Sequence, residues 1–489
     1  MGDSKLTQFF NCKILRDHQI IDEHLWIQNG KIVDPEKIFY DERRMADFRF
    51  DCGGKLIAPG FIDIQINGGF GVDFSHDIDS VDKNVSIVAR GILAHGVTSF
   101  CPTLVTSEPQ VYKKVLSRLR KTPGGKHGAT VLGAHVEGPF ISPDKKGAHS
   151  LSKIVTFDKG FDSVREVYGN LSNIAIITLA PELAGSMEVI DKLVEQGITV
   201  SLGHSSADIN IAEEAVRHGA SLITHLFNAM LPFHHRDPGI IGLLSSDNID
   251  SSKVYYGIIA DGVHTHPSAL RIANSTHPEG NFLPTFLAVR LGGKERYSRV
   301  LIISYSGHSS ADIHIAEEAV RHGASLITHL FNAMLPFHHR DPGIIGLLSS
   351  DNIDSSKVYY GIIADGVHTH PSALRIANST HPEGSITPFN GCVQFFMSLT
   401  GSITPFNGCV QFFMRSTRCS LVHALEVASL HPAKALGLEQ HKGTLDFGAD
   451  ADFVILDEGL HVYSTWIAGD CVYTDTETTR NRCPAECHC

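Results

Sequence analysis

Residues 198–228 read ITVSLGHSSADINIAEEAVRHGASLITHLFN, and this stretch decides the fold class. Two short apolar runs, 198–204 and 222–228, flank a segment over 207–218 whose apolar residues recur at helical spacing. Gly219 follows that segment, and glycine is common just after the end of a helix. The pattern predicts a strand, a helix and a second strand, which is the repeating unit of a parallel α/β sheet.

The same pattern continues on both sides of this unit. Five more strand-like runs are predicted at 61–67, 98–103, 131–137, 175–180 and 255–261, with amphipathic segments between them. Together the runs make seven βα units, one fewer than an eight-stranded barrel needs. We therefore predict the α/β class with a TIM-like (β/α)8 barrel, whose active site lies at the C-terminal ends of its strands.

The two ends of the chain differ from its middle. Residues 1–57 and 432–476 are rich in short alternating strands, such as those at 25–33 and 452–456. We predict a small β-sandwich formed from both ends, a barrel over 58–431 and a Cys-rich tail over 477–489. In the tail, Cys483, Cys487 and Cys489 surround His488. That spacing can bind a metal, but it follows no obvious structural element.

Two internal repeats interrupt the barrel pattern. Residues 203–280 recur as 307–384 with a single difference, Asn210 against His314, and residues 384–397 recur as 401–414. Solenoid repeats show many diverged copies, so this near-identity indicates a recent duplication or a mis-joined gene model. Two identical segments cannot fill the same positions of one closed core. One copy must therefore be surplus to the barrel.

Charge and hydropathy exclude several classes of partner. The net charge is −12 and no run of lysine or arginine exceeds a pair, which argues against nucleic-acid binding. The N-terminus has no apolar segment of signal-peptide length. No apolar stretch approaches the roughly 20 residues of a membrane helix. We expect a cytoplasmic protein without a membrane partner, whose ten cysteines are mostly reduced.

Three motifs place metal-ligating side chains at predicted strand ends. They are HVEGP over 135–139, SLGHS over 201–205 and THLFNAM over 224–230. A lone histidine at a strand end is more often structural, but these motifs end three strands of one barrel. One carboxylate and two imidazoles suit zinc or a similar divalent ion, and they leave a coordination position for water. We predict Glu137, His204 and His225 as the metal ligands.

These motifs resemble a known family. The segment APGFIDIQINGG over 58–69 resembles the first barrel strand of the metal-dependent amidohydrolases. Most members place a His-x-His pair there, whereas this chain has Gln65 and Asn67, as in the N-acetylglucosamine-6-phosphate deacetylase branch. That substitution implies one metal ion, because neutral amides are poor zinc ligands. Near the C-terminus, HPAK over 431–434 and GADAD over 448–452 resemble the return into the sandwich.

The resemblance implies an activity and a set of site residues. It implies a homodimeric hydrolase that removes the acetyl group of N-acetylglucosamine 6-phosphate, with one divalent ion, expected to be zinc. The implied contacts to the sugar and acetyl group are Ala148 and His149, and those to the 6-phosphate are Arg236 and His264. The other implied substrate-binding residues are Asn228 and Ala229 after the sixth strand, Asp261 in the same motif as His264, and Leu399, Thr400 and Gly401 in a last turn. His149 would also stabilise the oxyanion.

The chain departs from this family at the eighth strand. The family ends that strand in a Val-Thr-Asp-Ala type motif, whose aspartate is the general base and then the general acid. Residues 281–306 contain no aspartate, so the general base is not found. The run RVLIISYS over 299–306 is apolar enough to replace the strand, and it would bring Ser304 or Ser306 to the rim, followed by His308 as a candidate proton-transfer group.

Three other interpretations stay open. The chain could bind a metal and an amino-sugar phosphate without turnover. It could be an amidohydrolase of another substrate, such as a cyclic amide, although Gln65 and Asn67 argue against a two-metal site. It could also be a faulty gene model of an ordinary deacetylase.

Overall fold

The structure is a computed structural model that describes residues 5–76, 78–233, 237–261, 264–265, 269–270, 273–274, 282–284, 312–321, 326–327, 343–350, 352–353, 358–363, 386–389 and 405–475. The chain divides into two compact units. The first comprises Met1–Leu291 and Gly401–Cys489, and the second is Gly292–Thr400. The barrel domain predicted over 58–431 thus includes the second unit.

The first unit begins with strands of a β layer. They are β1 (Leu6–Arg16), β2 (Gln19–Asp22), β3 (Leu25–Gln28), β4 (Lys31–Ile32) and β5 (Phe48–Pro59), with a π-helical segment at Lys37–Glu42. β1 pairs antiparallel with β2 and β3 and parallel with β5. Because side chains alternate along a strand, β1 turns one face to the core. Phe9 on that face is fully buried and meets the Trp466 ring edge-on at 4.9 Å.

The barrel strands follow. They are β6 (Phe61–Ile66), β7 (Gly68–Gly69), β8 (Val72–Asp73), β9 (Val97–Val105), β10 (Thr130–Val131), β11 (Ala134–Glu137), β12 (Ile174–Leu179), β13 (Thr199–Leu202), β14 (Leu222–Ile223), β15 (Tyr255–Ile258) and β16 (Phe282–Pro284). Parallel pairing runs from β6 through β9, β11, β12, β13, β14 and β15 to β16. All seven predicted strands are present, which confirms the TIM-like α/β fold. β7 and β8 form a separate antiparallel pair.

Helices alternate with these strands. They are α1 (Val81–Gly91), α2 (Pro109–Leu116), α3 (Phe161–Tyr168), α4 (Ser186–Glu195) and α5 (Ile209–Arg217), with 3₁₀ turns at Ile92–His95, Pro143–Lys145, Leu151–Lys153, Gly239–Ser245 and Ser251–Lys253. The helix predicted over 207–218 is α5. Asp208 caps it by accepting a hydrogen bond from the Ile211 amide at 2.9 Å. Gly219 follows at φ +102°, a backbone conformation that favours glycine.

β16 occupies the eighth position of the barrel. Phe282 and Leu283 pair in parallel with Tyr256 and Gly257 of β15. Leu283 is 1% exposed and packs in one apolar cluster with Ile62 and Ile64 of β6. Backbone pairing needs only a few residues in an extended conformation, so β16 forms although the sequence shows no eighth-strand motif here. What the chain lacks is therefore the aspartate motif, not the pairing. The alternative strand over 299–306 lies outside the described residues.

The second unit repeats the local structure of the first copy. It contains α6 (Ile313–Arg321), β17 (Leu326–Ile327), a 3₁₀ turn at Gly343–Ser349, β18 (Tyr359–Ile363) and β19 (Ile386–Phe389). β17, β18 and β19 form a parallel sheet of their own. Glu317 accepts hydrogen bonds from Ser350 and Asn352, just as Glu213 does from Ser246 and Asn248. The first copy supplies β14 and β15 to the barrel.

The C-terminal part of the first unit completes both layers. It contains α7 (Phe406–Thr417), α8 (Leu421–Ala428), α9 (Leu430–Ala435), β20 (Phe453–Leu456), β21 (Val462–Ile467) and β22 (Asp470–Thr474). β20 pairs antiparallel with β5, so both chain ends share a sheet ordered β22-β21-β20-β5-β1-β3-β4. This confirms that strands from the two ends form one layer. Of the described helices, none has the length and apolar character needed to cross a membrane.

Candidate metal centre

Three buried side chains converge at the C-terminal ends of the barrel strands β11, β13 and β14. Glu137 ends β11, and His204 and His225 each lie two residues beyond β13 and β14. Oε1 of Glu137 lies 3.2 Å from Nε2 of His204 and 3.0 Å from Nε2 of His225. The two Nε2 atoms are themselves 3.0 Å apart. The structure thus brings together the three predicted ligands, each less than 8% exposed.

The backbone at both histidines is unusual. His204 has φ +49° and His225 has φ +32°, and Phe227 and Ala229 after β14 also lie at positive φ. Side chains with a Cβ adopt this region rarely, and it carries strain. Such strain persists where the surrounding structure imposes it, commonly at functional sites. It also explains why the predicted strands overrun the observed ones at this rim.

The hydrogen bonds of both imidazoles fix their tautomers. Nδ1 of His204 lies 2.9 Å from the Lys145 carbonyl oxygen, and Nδ1 of His225 lies 3.1 Å from that of Asn228. A carbonyl oxygen only accepts, so each Nδ1 carries a proton and donates. In the neutral rings both Nε2 lone pairs then point at each other and at Glu137. Three acceptors meeting at one place repel one another unless a proton or a metal ion lies between them.

The spacing fits a tetrahedral ion. Ligand atoms about 2.0–2.1 Å from a tetrahedral metal lie roughly 3.3–3.4 Å apart, close to the three separations observed here. Burial alone raises the pKa of the Glu137 carboxyl, but positive charge on the His204 and His225 rings, when they are protonated and donate to it, lowers that pKa well below its usual range. The carboxylate is therefore ionised and anionic. Among the described residues, these three form the cluster of His, Cys, Asp and Glu side chains suited to a metal.

Gln65 and Asn67 occupy the positions where most amidohydrolases have histidines. Nε2 of Gln65 donates to Oε1 of Glu137 at 2.9 Å. The glutamine therefore holds the ligand carboxylate in place. Asn67 is 2% exposed, and neither polar atom of its carboxamide has a hydrogen-bond partner among the residues described.

His149 stands beside the cluster with a defined tautomer. Its ring lies 4.4 Å from the ring of His204. The backbone N–H of Thr106 donates to Nδ1 of His149 at 3.3 Å, so Nδ1 is the acceptor and Nε2 carries the proton. Burial, with the neighbouring His204, lowers the pKa of His149 to about 3. The ring is therefore a neutral donor near neutral pH.

A chain of hydroxyl groups lies beneath the cluster, and sequence reasoning missed it. Nδ1 of His135 donates to the Ile64 carbonyl oxygen at 2.9 Å. Burial lowers the pKa of His135, so its Nε2 accepts from Thr178 Oγ1 at 2.7 Å. Thr178 in turn accepts from Thr224 Oγ1 at 2.7 Å, and Thr224 accepts from Ser201 Oγ at 2.5 Å. The only signal in the sequence is that these polar residues flank the metal motifs.

The remaining predicted site residues fall into two groups. Ala148 is half-buried in the loop after β11, and Asn228 and Ala229 are half-buried in the loop after β14. Beyond β15, Nδ1 of His264 donates to Oδ2 of Asp261 at 2.8 Å, and the His264 amide donates to Oδ1 at 2.9 Å. Arg236, Leu399, Thr400, Gly401, His308 and the Cys-rich tail lie outside the described residues.

Comparisons with known proteins agree with this geometry. A family model described as the amidohydrolase family matches residues 56–283 and 294–473. The N-acetylglucosamine-6-phosphate deacetylase of Homo sapiens is 46% identical over 473 residues, 96% of each chain. The enzyme of that name from Bos taurus is 47% identical over 471 residues, also 96% of each chain.

Solved structures share the fold. The N-acetylglucosamine-6-phosphate deacetylase from Pasteurella multocida has a TM-score of 0.65 at 23% identity, over 96% of this chain and all of that one. A mutant N-acetyl-D-glucosamine-6-phosphate deacetylase from Mycobacterium smegmatis, solved with N-acetyl-D-glucosamine-6-phosphate, has a TM-score of 0.62 at 22% identity. It covers 97% of this chain and 100% of its own.

Proposed function

The chain belongs to the N-acetylglucosamine-6-phosphate deacetylases of the amidohydrolase family, and from this we propose that it hydrolyses the acetamide of N-acetylglucosamine 6-phosphate. The products are glucosamine 6-phosphate and acetate. The observation that carries the proposal is the convergence of Glu137, His204 and His225, three acceptors within 3.2 Å of one another. Burying three acceptors this close together is costly unless a cation lies between them.

The metal ligands define where the reaction occurs. Glu137, His204 and His225 would hold one divalent ion, which we propose to be zinc because of its affinity for such mixed oxygen and nitrogen sites. When bound, such an ion supplies an acidified water and polarises a carbonyl oxygen. Gln65 keeps the Glu137 carboxylate in position through its 2.9 Å hydrogen bond. The lysine and asparagine carbonyls keep both imidazoles in the ligating tautomer.

His149 is proposed to stabilise the developing oxyanion. Its Nε2–H is free to donate, because Nδ1 is engaged by Thr106. A neutral imidazole donor strengthens its hydrogen bond as negative charge builds on the amide oxygen. Ala148, Asn228 and Ala229 would line the sugar, and Leu399, Thr400 and Gly401 would form the last contacting turn. These assignments are supported by the family motifs.

The 6-phosphate is proposed to bind Arg236 and His264. An arginine fork suits a phosphate because it donates two charge-assisted hydrogen bonds. Asp261 holds the His264 ring by accepting from both its Nδ1–H and its amide. We further propose a homodimer, since a neighbouring subunit completes this site in the family. A cytoplasmic location is supported by the six described cysteines, which are free thiols.

One function remains in competition for this chain. Residues 281–306 contain no aspartate, so the general base of the family has no counterpart there. A positioned acid–base group contributes roughly 10²–10⁴ in rate. This observation favours a protein that binds the metal and the sugar phosphate without turning the substrate over.

Acetate release from N-acetylglucosamine 6-phosphate by the zinc-loaded chain tests both functions. We expect turnover that Glu137→Gln abolishes, whereas Glu195→Gln, at an exposed position, leaves it unchanged. Circular dichroism would establish that each variant is folded. A folded chain that binds zinc and the sugar phosphate but releases no acetate would favour the binding protein. A chain that binds neither would contradict both functions.

A further inference from the structure

Asn67 has a buried carboxamide without a hydrogen-bond partner among the described residues. The residue is 2% exposed, and neither Nδ2 nor Oδ1 forms a hydrogen bond with any residue in the described part of the chain. The great majority of buried polar side-chain atoms are hydrogen-bonded, and those that are not destabilise the fold. Asn67 alone among the barrel-mouth residues discussed above leaves both a donor and an acceptor unused. A bound ligand is the natural partner for such a group.

The direction of the Asn67 side chain follows from its neighbours. The pairing of β6 with β9 is irregular between Asp63 and Ile66. Beyond that irregularity, Ile66 packs in the main hydrophobic cluster with Val88 of α1. Gln65, on the other side of the strand, reaches Glu137. Asn67 directly follows the last residue of β6. Because successive side chains of an extended backbone point to opposite faces, we expect Asn67 to lie on the Gln65 face.

The chemistry of the carboxamide limits its ligand. Nδ2 must donate to an acceptor and Oδ1 must accept from a donor. A phosphate dianion offers acceptors alone and would leave Oδ1 unsatisfied. A sugar hydroxyl or an amide N–H, beside a carbonyl or hydroxyl oxygen, satisfies both atoms. The partner is thus a neutral polar part of the ligand.

We propose that Asn67 hydrogen-bonds the acetamide end of the bound amino sugar and thereby contributes to substrate recognition. This inference rests on the proposed function, because the amide that reacts must lie beside the metal ligands. Gln65 donates a hydrogen bond to the proposed metal ligand Glu137, whereas the residues assigned to the phosphate come after β14 and β15 in the sequence. Asn67 is therefore placed near the acetamide rather than near the phosphate.

The test replaces the carboxamide with an apolar group of similar size. Asn67→Leu removes two unpaired polar atoms, so the zinc-loaded variant should melt at or above the temperature of the unaltered chain. Affinity for N-acetylglucosamine 6-phosphate should fall about tenfold, because ligand groups lose their partner. It is measured as KM if the chain turns over and as Kd by calorimetry if it does not. Affinity for inorganic phosphate should not change.

Asn173→Leu is the matched control. The Asn173 carboxamide donates to the Leu116 carbonyl oxygen at 2.8 Å, so its removal should lower the melting temperature and leave ligand affinity unchanged. If Asn67→Leu does not fold, Asn67→Ala takes its place with the same expected loss of affinity.

The outcomes distinguish a wrong role for Asn67 from a wrong proposed function. Unchanged sugar-phosphate affinity in the Asn67 variants would overturn the inference and leave the proposed function standing. A melting loss as large as that of the control would also overturn it, since a buried water or a structural role would then explain Asn67. If the unaltered chain itself does not bind the sugar phosphate, the proposed function fails first.

Discussion

Nε2 of His204 lies 3.0 Å from Nε2 of His225, while Nδ1 of each ring donates to a backbone carbonyl oxygen. Two lone pairs held this close repel each other unless a proton or a metal ion lies between them. The protein holds them there with backbone at positive φ. The repulsion between the two nitrogen atoms therefore opposes folding, and binding of an ion between them removes that repulsion.

The internal repeat permits a direct test of the metal centre. His308 and His329 have the same local sequence as His204 and His225. We expect His204→Asn or His225→Asn to abolish binding of one zinc per chain, because Glu137 is left with one imidazole. His308→Asn and His329→Asn should retain the metal. Metal content after dialysis, measured by plasma emission, distinguishes the two sets.

Loss of zinc from the His308 or His329 variants would show that the second copy supplies the ligands. Activity of the His308 variant is informative as well. A chain that keeps zinc but stops turning over in His308→Asn would identify that histidine as the substitute for the aspartate absent from 281–306.

His149 should act on the chemical step rather than on folding. The Thr106 amide donates to Nδ1 of His149, which leaves the proton on Nε2. The lowered pKa of His149, about 3, keeps the ring neutral near pH 7. We expect His149→Ala to lower kcat roughly 10²–10³-fold, as removal of an oxyanion donor does. Zinc content should be unchanged. An equal rise in KM with kcat preserved would instead assign His149 to ground-state binding.

The hydroxyl chain beneath the metal should behave as a unit. Thr224→Val keeps the shape of the side chain but leaves Ser201 without its acceptor and Thr178 without its donor. The loss in free energy of unfolding should be about 1–3 kcal/mol. Thr224→Ser retains the hydroxyl and should lose much less. Urea denaturation of both variants measures the difference, and equal losses would mean that the methyl group matters and the hydroxyl does not.

The junction of the two chain ends should make stability depend on pH. Asp450 lies 2.6 Å from Lys31 and 3.1 Å from Lys442. Burial tends to raise the pKa of Asp450, but these lysines lower it below its usual range. A carboxyl with a lowered folded pKa stabilises the fold above its unfolded pKa of about 3.9 and loses that contribution as the pH falls through its folded pKa.

Asp450→Asn should therefore destabilise the protein by about 1 kcal/mol at pH 7. The difference from the unaltered chain should shrink as the pH falls below about 4, where both carry a neutral group. Thermal unfolding at several pH values measures it. A difference that stays constant down to acid pH would show that the hydrogen-bond geometry, and not the charge, stabilises this junction.

The sequence predicted those parts of the protein whose side chains follow a regular pattern. The seven barrel strands are buried apolar runs, and Glu137, His204 and His225 end three of them, so both were recognisable. β16 was not, because a three-residue strand has too few side chains to show a period. Its Pro284 also weakens any strand signal.

Two features of the site depend on tertiary structure. The partners of His135, Ile64 and Thr178, lie on two other strands, and no regular spacing along the sequence relates the three residues. Gln65 and Asn67 were noted as replacements for histidines. The sequence could not show that Gln65 bonds to Glu137 while Asn67 has no partner among the described residues, because this depends on where β11 lies relative to β6.

The second copy of the repeat has an evolutionary consequence. Its strands β17 and β18 pair with each other, while the first copy supplies β14 and β15 to the barrel. Selection on catalysis then acts on one copy and leaves the other free to vary. The single difference between them, Asn210 against His314, falls on an exposed helix position in both. Substitutions at His308 and His329 are expected to be tolerated, because the duplicated segment does not include the strand that carries Glu137.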